Sequence, residues 1–144
     1  MLRTIAGAAL CTIFAIGAAN AQQPVEIKGQ QAKVLLNQVI TATTLSDLNG
    51  KYQLRVTETT FQPSGSVGPH HHAGPGIRCV KSGEHTQITD GKAIIYKVGE
   101  CYYEAGNVTH MARNATDKPT VLYNFEILPV SVTGGATIPV PAPK

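Results

Sequence analysis

The strongest constraint on this chain is its punctuation. From residue 51 to residue 128, runs of β-branched, aromatic and aliphatic residues are each cut short by glycine, proline, asparagine or aspartate. Such spacing suits short strands and leaves no room for a long helix. Residues 52–61 alternate and are rich in strand-favouring types. Pro63 to Pro69 reads as a turn-forming break, after which a strand region runs to Lys81 and ends at Ser82-Gly83. Residues 84–89 and 92–98 flank Asp90-Gly91, a strong hairpin signal. Residues 101–104, 110–114 and 121–128 supply further strands. The fold class expected is therefore all-β, a barrel or a sandwich. With 42% hydrophobic and 15% charged residues, the chain has enough apolar content for a core and is no disordered tail. Its 144 residues suit a single domain. A net charge of +3, scattered along the sequence, makes no nucleic-acid surface.

The two ends read differently. Arg3, an apolar run over 5–19 and then Ala19-Asn20-Ala21 follow the order of a signal peptide, with its charged start, apolar stretch and small-residue cleavage site. Residues 1–21 are expected to be such a peptide, cleaved near Ala21, because the run is shorter than the roughly 20 residues of a spanning helix. That places the mature chain in the periplasm or outside the cell, with no membrane association after cleavage. Cys11 leaves with the leader, and Cys79 and Cys101 remain as a pair in an oxidising compartment. Residues 22–50 read as a strand/helix extension, with a helix expected over 30–38. Residues 51–130 form the barrel. Residues 131–144, rich in Pro and Gly, form a tail that is either mobile or strapped over the surface.

Four histidines carry the chemistry. His70, His71 and His72 are consecutive, and His110 lies far along the chain. On a strand, His70 and His72 project from one face and His71 from the other. Neutral imidazoles are common ligands of divalent transition metals. A bare His-His-His run is also compatible with a loop that holds no ion. His85, alone on its strand, reads as hydrogen-bonded structure.

The residues around these histidines resemble the two motifs of the cupin superfamily. The first runs Gly, about five residues, His-x-His, three or four residues, Glu, six residues, Gly; here Gly65, His70, His72 and Gly83 occupy those places. The second runs Gly, five residues, Pro-x-Gly, two residues, His, three residues, Asn; here Gly99, Gly106, His110 and Asn114 follow it. Two positions depart from the pattern. The Glu of the first motif falls at Gly76, and the Pro and Gly of the second are Ala105 and Asn107.

The resemblance, which spans roughly residues 51–128, implies a double-stranded β-helix, the cupin jelly-roll barrel. It also implies one divalent transition metal (Fe, Mn, Ni, Zn or Cu) held by His70, His72 and His110. Glu104 shares the inward parity, with Tyr102, and is a candidate fourth ligand or general base; pairing with Arg78 or Arg113, or reaching solvent, are its other readings. Arg78 has the parity of His70 and His72, which suits either an anionic group of a substrate or a salt bridge to Glu104. Tyr102 would line the substrate pocket. In the resembling barrel Cys79 and Cys101 lie on neighbouring strands and face away from the metal, so a disulfide is expected, with free thiols as the alternative. The function implied is that of an exported, metal-dependent oxygenase, lyase or isomerase acting on a small, anionic molecule. The competing reading is a non-catalytic periplasmic module that binds a metal or small ligand. Pairing with a second copy into a homodimer fits either.

Overall fold

The computed structural model describes residues 24–140. The expected leader over 1–21, including Cys11, and the end of the tail, 141–144, lie outside the described residues. The described residues form nine strands: β1 (Ile27–Val39), β2 (Tyr52–His72), β3 (Gly76–Ser82), β4 (Glu84–Thr89), β5 (Lys92–Lys97), β6 (Cys101–Glu104), β7 (His110–Arg113), β8 (Thr120–Pro129) and β9 (Thr137–Pro139). A single 3-10 turn at Ser46–Leu48 joins β1 to β2. No helix among the described residues is long and apolar enough to cross a membrane.

Strand β2 is the spine of the barrel. Its first half pairs antiparallel with β8, from Tyr52↔Pro129 to Phe61↔Thr120. Its second half turns away and pairs with β7, ending at His70↔His110. The sheet runs β5-β4-β7-β2-β8-β3-β6, and both β1 and β9 add to β2. One long strand shared between two ends of a sheet rolls that sheet into a jelly-roll, the double-stranded β-helix.

Two local expectations are corrected. Residues 63–69 do not end a strand; β2 passes through them. Pro63 sits where the β1 register jumps from Gln30↔Phe61 to Lys28↔Ser66, so its missing N–H is not asked for by that ladder. Ser64 takes up the bend at φ 60. Residues 30–38 are not helical but lie in β1. Their helix-forming composition is a weak local preference, and pairing with the long edge of β2 outweighs it. Asp90-Gly91 does form the β4–β5 hairpin, with φ values of 51 and 75 as such a turn requires.

The apolar core is small: Phe61, Val67, Val80, Ala112 and Leu122 form one cluster. Much of the remaining interior is polar. Gln53, Arg55, Thr57 and Thr59 of β2 point inward, as do Arg78, His85, Glu104 and Glu126. All of these but Gln53 line a cavity of about 890 Å³. Asn114 is buried and its amide donates to the carbonyls of Phe61, Gln62 and Lys118. It thereby ties the loop after β7 to the bend in β2, so the Asn of the second motif is a structural residue. The left-handed position of the turn before β7 is Gly106, at φ 91, rather than Asn107. A Cβ at Gly106 would lie 2.7 Å from the Gly74 carbonyl carbon, so the turn needs glycine there for space as well as for conformation. On the outer side of the sheet Cys79 and Cys101 face each other across β3 and β6 and are joined by a disulfide.

The C-terminal segment is a strap. Strand β9 pairs with His70–His72 at the end of β2. Before it, residues 132–134 are held from below: the Gln53 amide donates to the Val132 carbonyl, and Arg55 donates to the carbonyls of Val132 and Gly134.

Candidate metal centre

The bend in β2 decides how the histidines point. From Gln53 to Val67 the odd-numbered positions are buried, exposed Pro63 at the bend excepted; after Gly68-Pro69 the buried one is His70. A register shift between Val67 and His70 makes this change of parity. His70 and His72 therefore enter the barrel together, while His71 pairs opposite Ile138 of the strap on the other face. His110 begins β7 directly opposite His70. The donor atoms of His70, His72 and His110 all lie within 4.8 Å of one another.

Backbone carbonyls orient two of the rings. His70 Nδ1 donates to Gly68 O at 2.7 Å, and His110 Nδ1 donates to Val108 O at 3.1 Å. His70 then presents an unprotonated Nε2 to the cavity, the tautomer that a metal requires; His110 Nε2 faces the Glu104 carboxylate and carries a proton there, which a metal would replace. Burial pushes His70 down to about 4 and His72 down to about 3, so both are neutral at physiological pH. Burial also lowers His110, but the hydrogen bond and charge of Glu104 outweigh it, and His110 is raised.

Glu104 completes the arrangement. Its Oε1 is 3.2 Å from His110 Nε2, and its Oε2 is 3.2 Å from His72 Nε2. Arg78 Nε approaches Oε2 at 2.7 Å, and the Gln87 amide donates to Oε1 at 3.3 Å. Burial raises the carboxyl, but the His110 hydrogen bond and the Arg78 charge prevail and hold it down at about 2. The three histidines bring donor atoms within 4.8 Å of one another and Glu104 lies beside two of them, a donor set of the kind that holds a divalent transition metal. The buried His72 Nδ1 has no hydrogen-bond partner. Its nearest acceptor, Glu126 Oε1, is 3.9 Å away.

Arg78 is buried and its fork is already engaged by the chain: Nε with Glu104, Nη2 with Glu126 at 3.0 Å. Of its two sequence readings, the geometry matches the salt bridge. The expected Glu104–Arg113 pair does not form among the described residues; Arg113 projects outward from β7. Tyr102 lines the cavity, stacked between Tyr96 and His85 with ring centroids 4.1 and 5.9 Å away. His85 is buried between Phe61 and Tyr102, outside the cluster of converging donors.

Sequence reasoning missed Glu126 and Arg55. The cross-strand register Arg55↔Glu126↔Gly76↔Glu104 puts all four on one inward row. Gly76, where the motif's Glu is absent, thus lies between two carboxylates on the flanking strands. A Cβ there would meet Arg78 Nη1 at 2.7 Å and Phe125 O at 2.8 Å. The place of the missing side chain is filled by Arg78 and the carboxylates that it pairs. The alternation of residues 122, 124, 126 and 128 in β8 was the available signal for Glu126.

A family described as a cupin domain matches residues 57–126. No curated protein matches the chain. Among solved structures, a cupin-like protein from Thermotoga maritima is similar at 21% identity and a TM-score of 0.59, with 88% of this chain and 89% of that one covered. The polyketide cyclase RemF from Streptomyces resistomycificus is similar at 14% identity and a TM-score of 0.60, covering 82% and 75%. KdgF from a Halomonas species is similar at 19% identity and a TM-score of 0.53, covering 81% and 94%. At these identities the likeness is one of fold.

Proposed function

Since this chain is a cupin-domain protein, we propose that its barrel holds one divalent transition metal through His70, His72 and His110 and acts on a small organic molecule in the adjoining cavity. The observation that carries this reading is the convergence of three histidine donors within 4.8 Å, two of them oriented by backbone carbonyls. Glu104 serves as fourth ligand or, displaced from the ion by a substrate, as the base that accepts a proton at a carboxylate oxygen. Its low pKa and its Arg78 partner keep it ionised, which suits the ligand role; the base role requires these partners to loosen. Arg78 positions Glu104 and Glu126 and keeps its buried Nη1, which has no partner, for a substrate atom. Tyr102 and His85 form one wall of the cavity. When bound, the ion supplies Lewis acidity or oxygen activation, chemistry that suits an oxygenase, lyase or isomerase. The leader expected over 1–21 from the sequence and the disulfide would both suit an exported protein.

The test is elemental analysis of protein purified without a histidine tag or chelator, beside His72→Ala. About one equivalent of a transition metal is expected in the first and almost none in the second. Absence of metal from both, with no uptake when metal is added back, would sink the metal reading.

A further inference from the structure

A buried guanidinium without an acidic partner is costly unless something else balances it. Arg55 is such a group. It is 5% exposed and lines the cavity. Among the described residues no carboxylate lies within 4.0 Å of it, whereas Arg78 has two, Glu104 and Glu126. Its Nε is buried and has no hydrogen-bond partner. Its Nη1 and Nη2 reach only neutral acceptors, the Gly134 and Val132 carbonyls of the strap.

The position is as telling as the charge. Arg55 occupies the same inward row as Glu126, Gly76 and Glu104, so it looks across the cavity at the level of the histidine cluster. Apart from Glu126, the lining around it is uncharged and hydrogen-bonding: Asn37 opposite on β1, then Thr57 and Asn124 in the next row. Glu126, its neighbour on β8, is drawn towards Arg78. We infer that Arg55 is the receptor for a carboxylate on the small molecule that this cavity binds. The inference rests on the reading of the cavity as a ligand site and names the ligand's chemical class, a small organic acid.

Two neutral carbonyls are weaker partners for a guanidinium than one carboxylate, which accepts two charge-assisted hydrogen bonds in the same plane. An incoming acid therefore binds side-on, one oxygen accepting from Nε and the other taking the place of the Val132 carbonyl at Nη2. The strap is displaced from Arg55 as the acid binds, while β9 stays paired to His70–His72. Arg78 cannot take this role as readily, because an anion there competes with Glu104 and Glu126.

The experiment uses benzoate and benzamide, alike in shape and unlike in charge, titrated by ligand-observed NMR into the full purified chain, Arg55→Gln and Arg55→Lys. Benzoate is expected to bind wild type at least about tenfold more tightly than benzamide, the range expected for a charged partner against a neutral one. Arg55→Gln should abolish the preference, and Arg55→Lys should keep part of it. If Arg55 only pins the strap, Arg55→Gln opens the cavity and benzoate binds as well as before or better, which overturns the inference. Equal affinity of the two probes for wild type, or no benzoate binding at tens of millimolar, also overturns it. Metal content measured on the same samples separates this result from the metal reading. Arg55→Gln keeps its metal if that reading holds, and His72→Ala loses metal while keeping the Arg55-dependent preference.

Discussion

The two ends of this barrel interior are built on opposite principles. At one end Phe61, Val67, Val80, Ala112 and Leu122 pack as an ordinary apolar core. At the other, Arg55, Arg78, Glu104, Glu126 and three histidines line the cavity, whose remaining wall includes Phe61, Val67, Ala112 and Leu122 of the apolar end. Both stretches use the same strands with the same alternation, and β2 and β8 contribute to each. The first end gains stability from the area it removes from water. The second end gives up that gain and must balance charge against charge, since each buried ion is tolerable only with its partners in place. A barrel of this size can carry such an end because the disulfide and the apolar end hold the strands independently of it.

The sharpest way to break this contrast is to remove one charge from the polar end. Arg78→Met leaves Glu104 and Glu126 buried without their shared cation. Breaking a buried ionic network in this way costs about 3–5 kcal/mol. The denaturant midpoint should fall accordingly, and added divalent metal should recover part of the loss. A variant with unchanged stability would mean that the two carboxylates reach solvent or take up protons with ease. Leu122→Ala probes the apolar end, where a loss of about 2–5 kcal/mol is expected from the cavity left behind. There metal should restore nothing. If metal rescued both variants alike, the two ends would be one cooperative unit and the contrast would fail.

How much of this was legible in the sequence follows from the same distinction. The hairpin at Asp90-Gly91 and the strand endings at Gly83 and Gly99 are local events, and local residues specify them. His70 and His72 were legible because period two and the motif spacing agree, although the parity holds only after the shift that follows Val67. The strand over 30–38 was not, because its cause is the distant edge of β2 rather than its own residues. Arg55 and Glu126 were missed for a different reason. Alternation tells which residues share a face, and an outward polar face is the default; in a barrel with a polar interior that default inverts. Once the register Arg55↔Glu126↔Gly76↔Glu104 is known, the row explains itself, but register is a property of strands far apart in sequence.

The smallest expected effect separates the two ends by their response to acid. Burial holds His70, His72 and His85 at about 4, 3 and 4, below the ordinary value near 6.5 that the unfolded chain retains. Between pH 6.5 and 4 the unfolded chain therefore binds protons that the folded one refuses. Their contribution to stability is complete above pH 6.5 and drains away as pH falls towards 4. His110, raised instead, works in the other direction: its contribution is present below 6.5 and is lost as pH rises. Glu104, at about 2 against 4.5 in the unfolded chain, begins to add to the loss at the acid end of this range. His85 is the useful probe, since it lies outside the donor cluster and its buried Nδ1 has no partner. His85→Phe should keep the packing between Phe61 and Tyr102 and remove one proton from the difference. The loss of stability on going from pH 6.5 to pH 5 should then shrink by about 1 kcal/mol per pH unit. Urea midpoints at the two pH values, for both proteins in the presence of a chelator, read this directly. An equal drop in both would show that His85 takes up its proton in the folded barrel, and that the polar end is wetter than its burial implies.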